Sequence, residues 1–161
     1  MNATMKTTLA LAALLGGCAT TPEATTAPTP SAQHAIVPGS QEDLVANVGD
    51  RIFFDFDRSE ILAHGSLTHN NGTTLDRQAA WLVQYSQNNV QIAGNCDERG
   101  TEEYNLALGQ RRANVDSHYL MAKGVAPGRI STISYGKERP TALGSNEEAW
   151  AQNRNAITSV K

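Results

Sequence analysis

Asp97, Asn105 and Arg112 bring an acid, an amide and a guanidinium close together in the chain. They lie in Gly94-Asn95-Cys96-Asp97-Glu98-Arg99-Gly100-Thr101, which runs on through Tyr104-Asn105-Leu106-Ala107-Leu108-Gly109-Gln110-Arg111-Arg112. A carboxylate attracts an ammonium, and arginine's planar fork takes a carboxylate through two parallel hydrogen bonds. An amide donates and accepts, while Leu108 offers an apolar floor. These residue types together suit a small zwitterion. Asn105, Leu108 and Arg112 are spaced three and four apart, which stacks them on one helical face. Exposed Asp and Arg in surface ion pairs share that spacing, so spacing alone leaves both readings open.

Several elements must position these residues. Arg51-Ile52-Phe53-Phe54-Asp55-Phe56 is rich in β formers and predicts a buried first strand. Leu75, Ala79, Leu82, Val83 and Ser86 recur at helical spacing, with Thr73 as the expected N-cap. Val90 to Gly94 predicts a second strand ending just before Asp97. A long helix is expected from Tyr104 to about Lys123, stopped by Gly124 and Pro127. Arg129 to Tyr135 reads as a third strand, Glu147 to Asn153 as a short helix, and Ala156 to Val160 as a last strand. The order β-α-β-α-β-α-β predicts an α+β fold with helices packed on a small sheet.

The chain has 161 residues and a formal net charge of −3, which argues against nucleic acid as the main partner. Lys6 followed by Leu9 to Leu15 gives a basic start and an apolar run too short to span a bilayer. Residues 1–17 therefore read as a signal peptide, ending at Leu15-Gly16-Gly17-Cys18. Residues 18–45, Thr-, Ala- and Pro-rich, read as a disordered tether. About 25 such residues reach roughly 25–30 Å on average. The folded domain is expected over 46–161.

The Gly94–Asn114 stretch resembles, nearly residue for residue, the signature of the OmpA-like peptidoglycan-binding family. The resemblance runs from about Val48 to the end and implies a mixed four-stranded sheet. It implies that Asp97 and Arg112 grip the free amino-acid end of meso-diaminopimelate in the peptidoglycan stem peptide. It also implies that Phe56, Asp57, Arg99, Thr101, Asn105 and Leu108 line the same pocket, with Asp55 in reach. Leu15-Gly16-Gly17-Cys18 resembles a lipobox, implying a cleaved chain lipidated at Cys18, and Ala19 points to the outer membrane. A lipid-anchored relative would face the periplasm and work with TolB and other Tol proteins in envelope integrity and constriction at cell division. Another OmpA-like envelope anchor outside that system is the alternative. Ser134 to Pro140 and Asn153-Arg154 match further stretches that read as structural.

Enzymatic readings find little support. The sequence holds no Gly-x-Ser-x-Gly elbow and no His-Glu-x-x-His pair. His64 and His69 are the poor basis of a metal-dependent periplasmic enzyme; no metal, cofactor or catalytic residue is expected. Cys96 reads as a small half-buried residue rather than a redox thiol.

The chain departs from its family at several places. Asn95 stands where His is usual, and Asn155 replaces a second Arg after Arg154. Leu62 to Thr74 is a longer polar connection, expected to be a flexible loop. Asp116 falls between Ala113 and Leu120 on the apolar stripe of the long helix. Burying a lone carboxylate is costly unless it takes up a proton or finds a partner, and a loosened helix or a compensating pair is expected there.

Overall fold

The computed structural model describes residues 35–61 and 70–161. The expected signal peptide, Cys18, most of the tether, and His64 and His69 lie outside the described residues. The fold starts earlier than the tether boundary predicts. A helical turn, α1 (Gln41–Asp43), passes into a π-helical turn over Leu44–Val48. The Ser40 hydroxyl accepts from the Asp43 amide at 3.2 Å, and the Asp43 carboxylate accepts from Trp81 Nε1 at 2.9 Å. Leu44 is fully buried in the core. A single apolar residue with local capping is invisible to periodicity, which is why residues 41–45 read as tether in the sequence.

Four strands follow: β1 (Arg51–Phe53), β2 (Val90–Asn95), β3 (Ile130–Gly136) and β4 (Asn155–Val160). Their order is β1-β4-β2-β3, with β4 antiparallel to both neighbours and β2 parallel to β3. This is the mixed four-stranded sheet expected of an α+β chain. Alternation decides the faces: Val90, Ile92 and Gly94 are buried, while Gln91 and Ala93 are partly exposed on the opposite side. The first strand is shorter than expected, because after Phe54 the chain turns into the loop that carries Phe56 and Asp57.

The helices α2 (Asn71–Gln84), α3 (Glu102–Ala122) and α4 (Glu147–Asn153) complete the domain. Helix α2 begins ahead of Thr73 because Asn70 is its N-cap, accepting from the Thr73 amide at 3.3 Å. Asn71 is in turn fixed to Phe53, accepting from its N–H at 3.1 Å and donating to its carbonyl at 2.6 Å. The buried face of α2 is Leu75, Gln78, Ala79, Trp81 and Leu82, whereas Val83 is exposed and Ser86 lies beyond the helix end. Gln78 enters that face because its amide donates to the Gly49 carbonyl at 2.7 Å and its oxygen accepts from Thr158 Oγ1 at 3.1 Å.

Helix α3 lies backbone-close on β2. A Cβ on Gly94 would overlap the Gly109 carbonyl, and one on Gly109 would overlap Ser134 Oγ. Glycine at both positions is therefore what lets the helix settle against the strand that ends in Asn95. This contact sets the distance between the loop after β2 and the face bearing Leu108 and Arg112.

Candidate functional site

A pocket of about 150 Å³ opens between the β1–α2 loop, the loop after β2 and the first turns of α3. Of the residues expected there, Phe56, Asp57, Asp97, Arg99, Asn105, Leu108 and Arg112 line it. Thr101 does not. Its hydroxyl is the N-cap of α3, accepting from the Tyr104 amide at 3.2 Å, which places Asn105 in the helix's first turns. Asp55 is not among the lining residues either; its backbone carbonyl accepts from Arg112 Nη2 at 3.1 Å.

Arg112 is fully buried beneath the pocket. Its Nε donates to the Arg58 carbonyl at 2.8 Å, and Nη1 donates to the Asn95 carbonyl at 2.8 Å and to Cys96 Sγ at 3.5 Å. With Nη2 on Asp55, four of the five guanidinium N–H groups are occupied by these acceptors. Among the described residues no carboxylate forms an ion pair with this cation. The simple expectation of an open two-pronged fork is therefore corrected. One Nη2 N–H and an uncompensated positive charge are what Arg112 presents. Burial pulls its guanidinium below the ordinary value, and nearby Cys96 and Asp97 partly offset that. It stays cationic at any pH a folded protein meets.

Asp97 lines the same pocket, 4% exposed. Arg99 binds it twice, Nη2 to Oδ2 at 2.6 Å and Nε to Oδ1 at 3.0 Å, and the Arg99 amide adds a third bond to Oδ1 at 3.1 Å. Arg154, read from sequence as structural, also reaches Oδ2 at 3.4 Å. Burial alone would raise the Asp97 carboxyl, but the Arg99 hydrogen bonds and charge, with Arg154, hold it below the usual carboxylate range. Asn105 gives its amide N–H groups to the Arg99 and Thr101 carbonyls, at 2.8 and 3.0 Å. That amide shapes the loop.

Sequence reading missed Tyr104, Cys96 and Gly100 as lining residues. Tyr104 precedes Leu108 by four, so helical spacing could have found it. Its hydroxyl donates to the Asp57 carboxylate across the pocket mouth, which raises the phenol above its ordinary value. Asp57 has φ 57°, a left-handed backbone that Asp tolerates better than most residues. Cys96 is a free thiol, more deeply buried than expected at 3% exposure, donating to the Asn105 carbonyl at 3.3 Å. Burial pushes that thiol up, with Arg112 opposing.

Two departures from the family pattern turn out to be neighbours. Asn95 Nδ2 donates to Asn155 Oδ1 at 2.8 Å, and Asn155 donates to Thr141 Oγ1 at 3.0 Å and the Gln152 carbonyl at 2.6 Å. Among the described residues no three His, Cys, Asp or Glu side chains gather in a metal-binding group, and no helix is long and apolar enough to cross a membrane.

Comparison with known proteins bears on the fold and the family. Residues 53–154 match the OmpA family. A peptidoglycan-associated lipoprotein of Mesorhizobium japonicum is 52% identical over 126 residues, covering 78% of this chain and 71% of the relative. The crystal structure of the peptidoglycan-associated lipoprotein from Burkholderia pseudomallei superposes with a TM-score of 0.64 at 37% identity, covering 74% of this chain and all of that one. The C-terminal domain of Helicobacter pylori MotB, at 20% identity and TM-score 0.58 over 70% of this chain and 84% of that one, shares the fold. Family match, sequence identity and fold converge: the chain belongs to the OmpA family, among the peptidoglycan-associated lipoproteins.

Proposed function

We propose that this protein is an outer-membrane lipoprotein that holds peptidoglycan non-covalently through the meso-diaminopimelate of its stem peptide. One observation carries the reading. A fully buried guanidinium, with no carboxylate partner among the described residues, lies beneath a pocket that the carboxylate of Asp97 also lines. A ligand with a carboxylate and an ammonium on one carbon matches both ends at once. The carboxylate meets Arg112 in a site of low dielectric, where a charge-assisted bond contributes about 1.5–3 kcal/mol. The ammonium meets Asp97. The aliphatic stem of the amino acid lies on Leu108, 4% exposed. Nothing in this arrangement needs a reaction, and the role is binding rather than catalysis.

The wider proposal follows from kinship with the lipoproteins named above. Cys18 carries the lipid, the domain faces the periplasm from the outer membrane, and TolB with the other Tol proteins is the partner set in envelope integrity and cell division. A sacculus pull-down tests the site: the parent is retained, and Asp97→Ala and Arg112→Ala are not, with circular dichroism checking that each remains folded. Equal retention of all three overturns the proposed site. Labelling with palmitate, with and without Cys18→Ala, tests the anchor; co-purification with TolB tests the partner.

A further inference from the structure

Acid and base alternate in a closed ring on one side of the pocket. Asp97 meets Arg99 at 2.6 Å and Arg154 at 3.4 Å. Glu147, the first residue of α4, stands on the far side of both cations, 2.7 Å from Arg154 Nη2 and 3.9 Å from Arg99 Nη1. The Arg99 guanidinium also lies between two aromatic rings, 4.0 Å from the centre of Phe56 and 4.1 Å from that of Trp150. The Trp150 indole is itself fixed, donating from Nε1 to Glu98 Oε1 at 3.0 Å.

This geometry raises a competition. Four donors already fill Asp97, the Arg99 amide and Nε on Oδ1 and Arg99 Nη2 and Arg154 Nη1 on Oδ2, so an ammonium approaching it competes with them, and the more exposed Arg99 is the one with room to move. Ring faces attract a guanidinium without directional bonds, which leaves it free to slide between them. At the far end of that slot waits Glu147, one short movement beyond bonding distance. Its side chain is 63% exposed, so it can follow the cation.

We infer that Arg99 is the resident counter-ion of Asp97, and that a ligand's ammonium displaces it along the Phe56–Trp150 slot toward Glu147. Helix α4 then becomes a selectivity element. Arg99 protects Asp97 from stray cations, and only a ligand that also anchors its carboxylate on Arg112 can drive the exchange. Trp150 and Glu147 are positioning residues that act through Arg99. The inference rests on the zwitterion reading proposed above.

Calorimetric titration of the full-length protein in detergent tests it, with two probes. One is the stem tripeptide ending in meso-diaminopimelate; the other is the same peptide acetylated on the free amine. The parent should prefer the free amine, and Asp97→Asn should lose that preference. Glu147→Gln and Trp150→Ala should weaken free-amine binding about three- to tenfold, the scale of one exposed charge or ring contact, and leave the acetylated probe unchanged. Trp150→Tyr, which keeps a ring in place, should restore the parent's preference. Arg99→Gln should bind the free amine a few-fold tighter, because the competitor is gone. A parent without preference, or an Asp97→Asn variant that keeps it, refutes the zwitterion reading and the inference with it. If Asp97→Asn behaves as expected but Arg99→Gln weakens the free-amine probe, Arg99 grips the ligand directly and this inference alone fails. It fails equally if Glu147→Gln and Trp150→Ala bind both probes as the parent does.

Discussion

Arg112 and Asp116 stand one turn apart on the same face of α3, both with no exposed surface. Their neighbourhoods could hardly differ more. Arg112 reaches three backbone carbonyls and a sulfur, and its guanidinium carbon lies 5.0 Å from the Phe54 ring centre. Both oxygens of Asp116 lack a hydrogen-bond partner among the described residues. The helix runs unbroken from Glu102 to Ala122 past both residues. The expectation of a loosened helix or a compensating partner at Asp116 is therefore wrong on both counts. The carboxyl answers burial by a third route: it is pushed up to about 8 and is mostly protonated at neutral pH. Burial does not decide whether a group keeps its charge; the partners around it do. Arginine cannot release its proton, so the fold had to bring carbonyls to it, whereas an aspartate can simply become neutral.

The largest effect should come from Asp116. Its folded value, about 8, lies above the ordinary 3.8, so the folded state binds the extra proton between those limits. Stability from this group is complete below about pH 4 and is lost as pH rises through about 8, on the order of 5 kcal/mol in all. Chemical denaturation across that range should show the slope, and Asp116→Val should flatten it while raising the midpoint at pH 7. An Asp116→Val variant no more stable than the parent at pH 8 would refute the unpartnered-acid account.

Arg112→Met ranks next, because it strands the carbonyls of Arg58, Asn95 and Asp55 in or near a buried site. A loss of about 3 kcal/mol is expected in urea denaturation, the scale for removing a charged donor from buried acceptors. If the loss were under about 1 kcal/mol, the partnered end of the comparison would be no firmer than the unpartnered one.

The Asn95–Asn155 pair offers an intermediate case, buried and partnered but uncharged. Asn95→Ala and Asn155→Ala should each cost about 1–2 kcal/mol, and a double-mutant cycle should return a coupling of about 1 kcal/mol. Strict additivity would show that their meeting in space has no energetic meaning. At the small end lies the exposed pair of Asp76 and Lys123, 2.8 Å apart. Lys123→Ala should leave the thermal midpoint unmoved within error, since water serves an exposed pair as well as its partner does.

Much of this was legible in the chain. Strand patterning, the run from Glu147 to Asn153 and the spacing of Asn105, Leu108 and Arg112 are local properties, read from period and residue type. They predict the sheet's strands to within a few residues at each end, the α4 helix and the α3 side of the pocket, while Phe56, Asp57 and Arg99 came only with the family resemblance. What misled was capping chemistry: Asn70 and Ser40 start helices before the apolar period begins, which moved the boundaries of α2 and of the whole domain.

The sequence by itself determined the fold class, the site face of α3 and the types of charge available, because hydrophobic period and side-chain chemistry are carried residue by residue. Only the tertiary structure decided what each charge does. Arg154 and Glu147 are far from Asp97 in the chain yet close its ring of charges; Asn95 and Asn155 answer one another across strands. Arg112 is held by carbonyls whose positions depend on where two loops end. Partnering is a matter of distance and dielectric, and neither exists until the chain has folded.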